Sequence, residues 1–387
     1  MNMPIRPAIE ALPASRIREV ANAGIGRDDV LPFWFGESDE VTPQLVRDAA
    51  AASLQRGETF YSHNLGLAEL RESIAAYAGG LHGSIGADRI AVTSSGVSAL
   101  MVAMQMLAGA GDEVVAVVPV WPNLTAQPAI LGAKVLRVAL QPDADGAWRL
   151  DLEALLAAVT PATRVLLVNA PNNPTGWTLS GAEQRAILAH CRHTGTWIVA
   201  DEVYERVWFG EGSCPPSFLD VAAPDDRLVV VHSFSKSFLM TGWRLGWMVL
   251  PALQLDAVGK LLEFNSSCAP VFVQRGALAA LAMADEFVPG LVQRLRAGRD
   301  RLHDGLAGLP GLTVARPAGG LYAWFRVRGE NDSLALAKRL VREHGLGLAP
   351  GVAFGPEGEG WLRWCFASRD PARLDAGLAR LAEALRA

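Results

Sequence analysis

The chain has 387 residues, half of them apolar, a formal net charge of −5 and a pI near 5.9. That length exceeds what one growing core takes up, so a large domain with a smaller companion is expected, and the acidic balance offers no basic footprint for nucleic acid or an anionic membrane surface. Met1 to Arg18 has no apolar core of signal-peptide type and no segment approaches about eighteen unbroken apolar residues, so a soluble cytoplasmic protein is expected.

The segment up to Pro43 is short-patterned and punctuated by proline, and is expected to pack on the smaller domain. From there apolar, β-rich runs alternate with helical stretches, the pattern of an α/β domain around a mainly parallel sheet. Strands are predicted over 89–93, 113–118, 134–138, 165–169, 197–200, 228–231 and 245–249, and helices over 99–107, 152–158 and 182–192. After Glu286 the texture changes to a long charged helix through Arg301, a strand over 321–327, a helix over 334–344 and a final helix after Asp370. The expected division is an arm at 1–43, a large domain at 44–285 and a small α+β domain at 286–387. Cys191, Cys214, Cys268 and Cys365 are widely spaced, which points to reduced thiols rather than a disulfide framework or a zinc site.

Ligands of open α/β sheets bind beyond the carboxyl ends of the strands, so the polar residues after each apolar run are the candidates. The first run leads into Ser94-Ser95-Gly96-Val97-Ser98 and a helix, where free amides suit an anion, although a serine helix cap accounts for it as well. The second leads to Trp121, a flat ring that could stack on a ligand ring or simply fill the core. Next comes Ala170-Pro171-Asn172-Asn173-Pro174-Thr175-Gly176, a good turn whose Asn173 amide could donate to a ring oxygen. Asp201 ends the following run, where a carboxylate is costly unless paired, and Tyr204 stands nearby.

The last run precedes Ser233-Phe234-Ser235-Lys236, eight residues before Arg244. A lysine can condense with an aldehyde, while hydroxyls and a guanidinium hold a phosphate, which is what a pyridoxal phosphate site requires. The other strand ends match parts of the same cofactor: Ser95, Gly96 and Val97 for the phosphate, Trp121 for the ring face, Asp201 for a protonated ring nitrogen, Asn173 and Tyr204 for the ring oxygen. Lysine titrates near about 10.4 when free, so Lys236 can act as a base only if burial or positive neighbours depress that value.

The fourteen residues from Ser233 to Gly246 resemble the lysine attachment signature of the class I and II aminotransferases, the fold-type-I pyridoxal phosphate group, and the resemblance extends over nearly the whole chain. Phe35-Gly36-Glu37-Ser38-Asp39 is similar to that family's G-E-P-D loop, with Ser38 where proline is common, and implies that Gly36 touches the substrate carboxylate. Tyr61 with Gly66 and Leu70-Arg71 resembles a segment whose tyrosine reaches the phosphate of a second subunit, which implies a homodimer with shared active sites. Trp361-Leu362-Arg363-Trp364 looks like the final motif, implying that Arg363 grips the α-carboxylate. The resemblance implies an aminotransferase moving an amino group between an L-amino acid and a 2-oxo acid in ping-pong fashion, with Lys236, Asp201 and Tyr204 catalytic and Gly36, Trp121, Asn173 and Arg363 facing the substrate. No metal is implied.

Three other functions fit parts of the same sequence. A carbon–sulfur β-lyase shares the same cofactor residues. Ser233-x-x-Lys236 also spells the S-x-x-K of serine acyl enzymes, but no K-T-G follows it. An effector-binding domain of a transcription regulator would need a DNA-binding region for which the arm has no room. Side-chain specificity is expected to depend on residues near Trp34 and Ser38, with Phe33, Trp34 and Phe35 a possible apolar wall.

Overall fold

Val114–Val118, Val165–Val168 and Leu228–Val231 are unbroken apolar runs, and such runs suit strands covered on both faces. The computed structural model, which describes residues 5–386, places them in a seven-stranded sheet. Its strands are β1 (Ile90–Thr93), β2 (Glu113–Val118), β3 (Lys134–Ala139), β4 (Thr163–Asn169), β5 (Trp197–Asp201), β6 (Leu228–Ser233) and β7 (Gly246–Val249). In space they run β1-β7-β6-β5-β4-β2-β3. The neighbours from β6 to β3 are parallel, and β7 alone runs antiparallel to both β1 and β6. Gly246 pairs with both Thr93 and Ser233, so the residues before β7 arrive at the same edge that the other strands leave. This reversal is what brings Arg244 to the strand ends.

One face of the sheet is covered by the helices Gly96–Leu107 and Leu255–Ser266, and the other by a larger core that continues into the rest of the molecule. The paired helices Gln44–Gln55 and Val271–Ala282 were not marked by the sequence pattern. Gln44–Gln55 buries a narrow stripe of Val46, Ala50 and Ser53 with only one large apolar side chain in it, whereas Val271–Ala282 is apolar on more than one side and shows no single stripe. At Gly276 an added Cβ would lie 2.6 Å from the Trp243 ring, which shows how closely the second helix packs behind the lysine loop.

A second, four-stranded antiparallel sheet follows: β8 (Leu312–Val314), β9 (Tyr322–Val327), β10 (Ala349–Pro350) and β11 (Trp361–Cys365), in the order β8-β9-β11-β10. The helices Ala284–Ala307, Ser333–His344 and Pro371–Ala384 pack with it. The N-terminal segment joins this unit, since Leu31–Pro32 pairs in parallel with Leu346–Gly347. No helix among the described residues is long and apolar enough to cross a membrane.

Candidate active site

A cavity of about 610 Å³ opens at the strand ends, between the two sheets. Twelve of the fourteen residues singled out from the sequence line it: Gly36, Gly96, Val97, Trp121, Asn173 and Asp201, together with Tyr204, Ser233, Ser235, Lys236, Arg244 and Arg363. Ser95 is buried beside them, but its side chain is spent on the helix. Its Oγ accepts from the Ser98 amide at 3.1 Å as the cap of Gly96–Leu107, with φ at +132°. The cap reading therefore holds for the Ser95 hydroxyl, while Gly96 and Val97 face the cavity at the helix N-terminus. Tyr61 is 88% exposed and lies outside the cavity of its own chain.

The serine pair is tied together: Ser233 Oγ lies 2.9 Å from Ser235 Oγ and accepts from the Ser235 amide at 3.1 Å. Ser233 therefore does not bond to Lys236, whose Nζ donates instead to the Gly36 carbonyl at 2.6 Å. The serine-nucleophile reading needs a base in contact with Ser233, and Lys236 does not supply that contact. Arg244 adopts a left-handed φ of +54° after the turn Thr241–Trp243, and its Nη1 donates to the Thr241 carbonyl at 2.6 Å. Burial lowers the Lys236 amine to about 8, with Arg363 and Arg244 acting in the same direction and Cys365 and Glu37 opposing.

Asp201 is almost fully buried, and its carboxylate accepts only a long bond, 3.4 Å, from the Val203 amide. Burial pushes this carboxyl up to about 7. A buried acid with so little compensation calls for a cationic partner. Asn169 fixes the neighbouring turn by donating to the Asp201 carbonyl at 3.0 Å and accepting from the Asn173 backbone amide at 2.7 Å. That backbone amide is thus engaged. Because Asn173 Oδ1 accepts from Arg363 at 2.9 Å, Nδ2 is the donor left to face a ligand.

Arg363 comes from β11 and is 2% exposed. One nitrogen donates to Asn173, another to the Trp34 carbonyl, and the guanidinium lies 4.2 Å from the Tyr322 ring centroid. Nε makes no bond, and no carboxylate pairs with it among the described residues. A buried cation held by neutral groups with a donor to spare is arranged for an anionic ligand.

Sequence reasoning missed Tyr322, whose hydroxyl meets that of Tyr204 at 2.6 Å. Burial, with the neighbouring Tyr322, holds the Tyr204 phenol well above its usual range, and burial pushes Tyr322 up to about 12. Tyr322 also explains Gly36, since a Cβ there would fall 1.8 Å from its oxygen. A tyrosine inside a predicted strand reads as core, and only the preceding Gly319-Gly320 pair marks the position as tight. Of the three aromatics at 33–35, Phe35 alone lines the cavity; Phe33 and Trp34 are in the core. Ser38 lies in an adjoining crevice with Lys236.

The sequence pattern of the family described as aminotransferase class I and II matches residues 29–381. The chain is 30% identical to a probable aspartate aminotransferase of Methanocaldococcus jannaschii, over 92% of this chain and 93% of that protein. It is 33% identical to an arginine–pyruvate transaminase of Pseudomonas aeruginosa, over 87% and 85%. Among solved structures, the aspartate aminotransferase of Thermotoga maritima superposes with a TM-score of 0.89 at 31% identity, covering 99% of this chain and all of that one. The chain belongs to the class I and II aminotransferases and is a transaminase.

Proposed function

We propose that this transaminase binds pyridoxal phosphate in the cavity at the strand ends and exchanges an amino group between an L-amino acid and a 2-oxo acid. The observation that carries the reading is the pairing, on the walls of one cavity, of an amine with lowered proton affinity and a buried carboxyl that lacks a cation. Lys236 holds the cofactor through its amine. The amides of Gly96 and Val97 at the helix N-terminus, the Ser233–Ser235 pair and Arg244 take the phosphate, with Ser95 shaping the loop. Asp201 would supply the counter-charge for the ring nitrogen, Asn173 Nδ2 and the Tyr204 hydroxyl would serve the ring oxygen, and Trp121 would back the ring face. When bound, the cofactor supplies an electron sink for the substrate's Cα.

Arg363 receives the α-carboxylate, its fork already oriented by Asn173 and Trp34, and Gly36 closes the same wall. Lys236 Nζ would remove the substrate's Cα proton. An amine near about 8 is deprotonated often enough at neutral pH to do this, whereas an unperturbed lysine is not. Tyr61 and Phe60, both exposed, are offered to a second copy, and the homodimer with shared sites is part of this proposal. So are a cytoplasmic location and the division into an arm at 1–43 and domains at 44–285 and 286–387, which the two separate sheets support.

The test is the half-reaction. Purified holoenzyme given one amino acid and no acceptor should release about one equivalent of 2-oxo acid and lose its visible absorbance, as a ping-pong enzyme does. A screen across amino acids then identifies the donor. Pyruvate and ammonia released continuously from cysteine or cystathionine would instead mark a β-lyase.

A further inference from the structure

A buried ionic network lies on the face of the sheet away from the cavity and has no part in the chemistry above. Side chains alternate along a strand. Asp201 and Ser233 open on the cavity, whereas His232 stacks on Trp247 in the opposite core, with ring centroids 5.1 Å apart. The polar atoms of Glu202, Glu205 and His232 lie within 4.8 Å of one another, and each residue is under a tenth exposed. His232 Nδ1 stands 3.3 Å from Glu205 Oε1. Glu205 Oε2 meets His82 Nε2 at 3.0 Å, and His82 Nδ1 meets Asp220 Oδ1 at 2.9 Å.

His82 has a carboxylate on each nitrogen, so both donate and the ring is charged. Burial raises the proton affinity of Glu202, while His232 and the bond that Glu202 accepts from Ser217 Oγ at 2.6 Å oppose that rise; it also accepts from the Phe218 amide at 3.1 Å. Around the network also stand Arg206, which donates to Tyr77 at 3.0 Å, and Cys214. His82 answers Glu205 and Asp220, which leaves His232 as the cation nearest Glu202, the residue bonded in sequence to Asp201. Neither His232 nitrogen makes a well-directed hydrogen bond, so what the ring contributes is charge rather than a directed tether.

We propose that His232 is a positioning residue for Asp201: as an imidazolium behind the sheet it offsets Glu202 and Glu205, and so keeps the Asp201 carboxylate ionised toward the cofactor's ring nitrogen. The inference rests on the pyridoxal phosphate reading given above. Directions of proton affinity agree with it. Burial raises Asp201 and Glu202 adds to that rise, while the Val203 amide, His232 and Lys236 draw it down; burial lowers His232, and Glu205 and Glu202 outweigh it.

His232→Gln removes the charge and keeps a polar side chain of similar size. Asp201 should then bind its proton more tightly, moving the acid limb of kcat/KM up by about one pH unit and weakening pyridoxal phosphate binding about tenfold near neutrality. The double variant His232→Gln with Glu202→Gln should restore both, which a packing defect beside Trp247 would not. Should the first variant fail to fold, Glu202→Gln alone must move the limb downward. Unshifted limbs and affinities, shifts of one sign in both single variants, or a double variant no better than His232→Gln would overturn the role. A wild-type chain that takes up no pyridoxal phosphate would instead overturn the reading of the cavity, before any variant is compared.

Discussion

At Gly246 an added Cβ would lie 2.5 Å from the Gly96 amide nitrogen, 2.7 Å from the His232 carbonyl oxygen and 2.8 Å from the Ser95 carbonyl carbon. Comfortable contact begins near about 3.5 Å, so Gly246→Ala must open a gap of about 1 Å between β7 and the start of the Gly96 helix. All three atoms are backbone, and none can rotate away. Overpacking of this kind costs about 1–3 kcal/mol. The displacement also carries Gly96 away from Ser233, whose Cβ lies only 3.3 Å from a Cβ built at Gly96. Because these residues form the proposed phosphate cup, cofactor affinity should fall with stability, and turnover by about 100-fold. Thermal unfolding and equilibrium titration with pyridoxal phosphate measure the two effects. Gly80→Ala, in a helix with nothing within 4 Å, serves as the control and should leave binding unchanged. Wild-type melting and wild-type affinity in Gly246→Ala would refute the coupling of this strand to the cup.

Arg363→Ala should raise the amino-acid KM steeply and leave the cofactor spectrum intact; an unchanged KM would count against its carboxylate role. Asp201→Asn should bind pyridoxal phosphate weakly yet stabilise the apo-protein. The raised carboxyl contributes fully below its ordinary value near 3.8 and loses that contribution as pH rises toward about 7, so the variant's advantage should be absent at pH 4 and present at pH 8. An apo-variant less stable than wild type at pH 8 would contradict this. For His82 the bonds to Asp220 and Glu205 outweigh burial and raise the ring to about 11. Its stabilisation is complete below about 6.5 and fades from there upward. The melting deficit of His82→Gln should therefore be larger at pH 6 than at pH 9.5, and a deficit growing with pH would reverse the assignment.

The strand ends were legible because the apolar runs stop at polar residues whose types, Asp201 and Lys236 above all, are costly to bury without a partner. Helices made of alanine and leucine, such as Val271–Ala282, carry no polar stripe and escaped notice. Trp34 and Phe35 are adjacent aromatics, yet one fills the core and the other faces the cavity, a distinction that depends on the path of the arm. Partners brought together by folding were also hidden. Tyr204 and Tyr322 are 118 positions apart and His82 and Glu205 are 123 apart, and neither pair shares a local pattern. The backbone amide of Asn173 illustrates a finer limit: the turn motif brings the residue to the cavity wall, but Asn169 claims that amide's hydrogen bond.

Lys236 is proposed both to hold the cofactor and to move the substrate's proton. The most direct measurement is the absorbance spectrum and single-turnover product of wild type and Lys236→Ala, each loaded with pyridoxal phosphate and given an amino acid. Before the amino acid is added the wild type should show a visible band that the variant lacks, and only the wild type should then form a 2-oxo acid. A variant with the wild-type band and undiminished product would contradict the account.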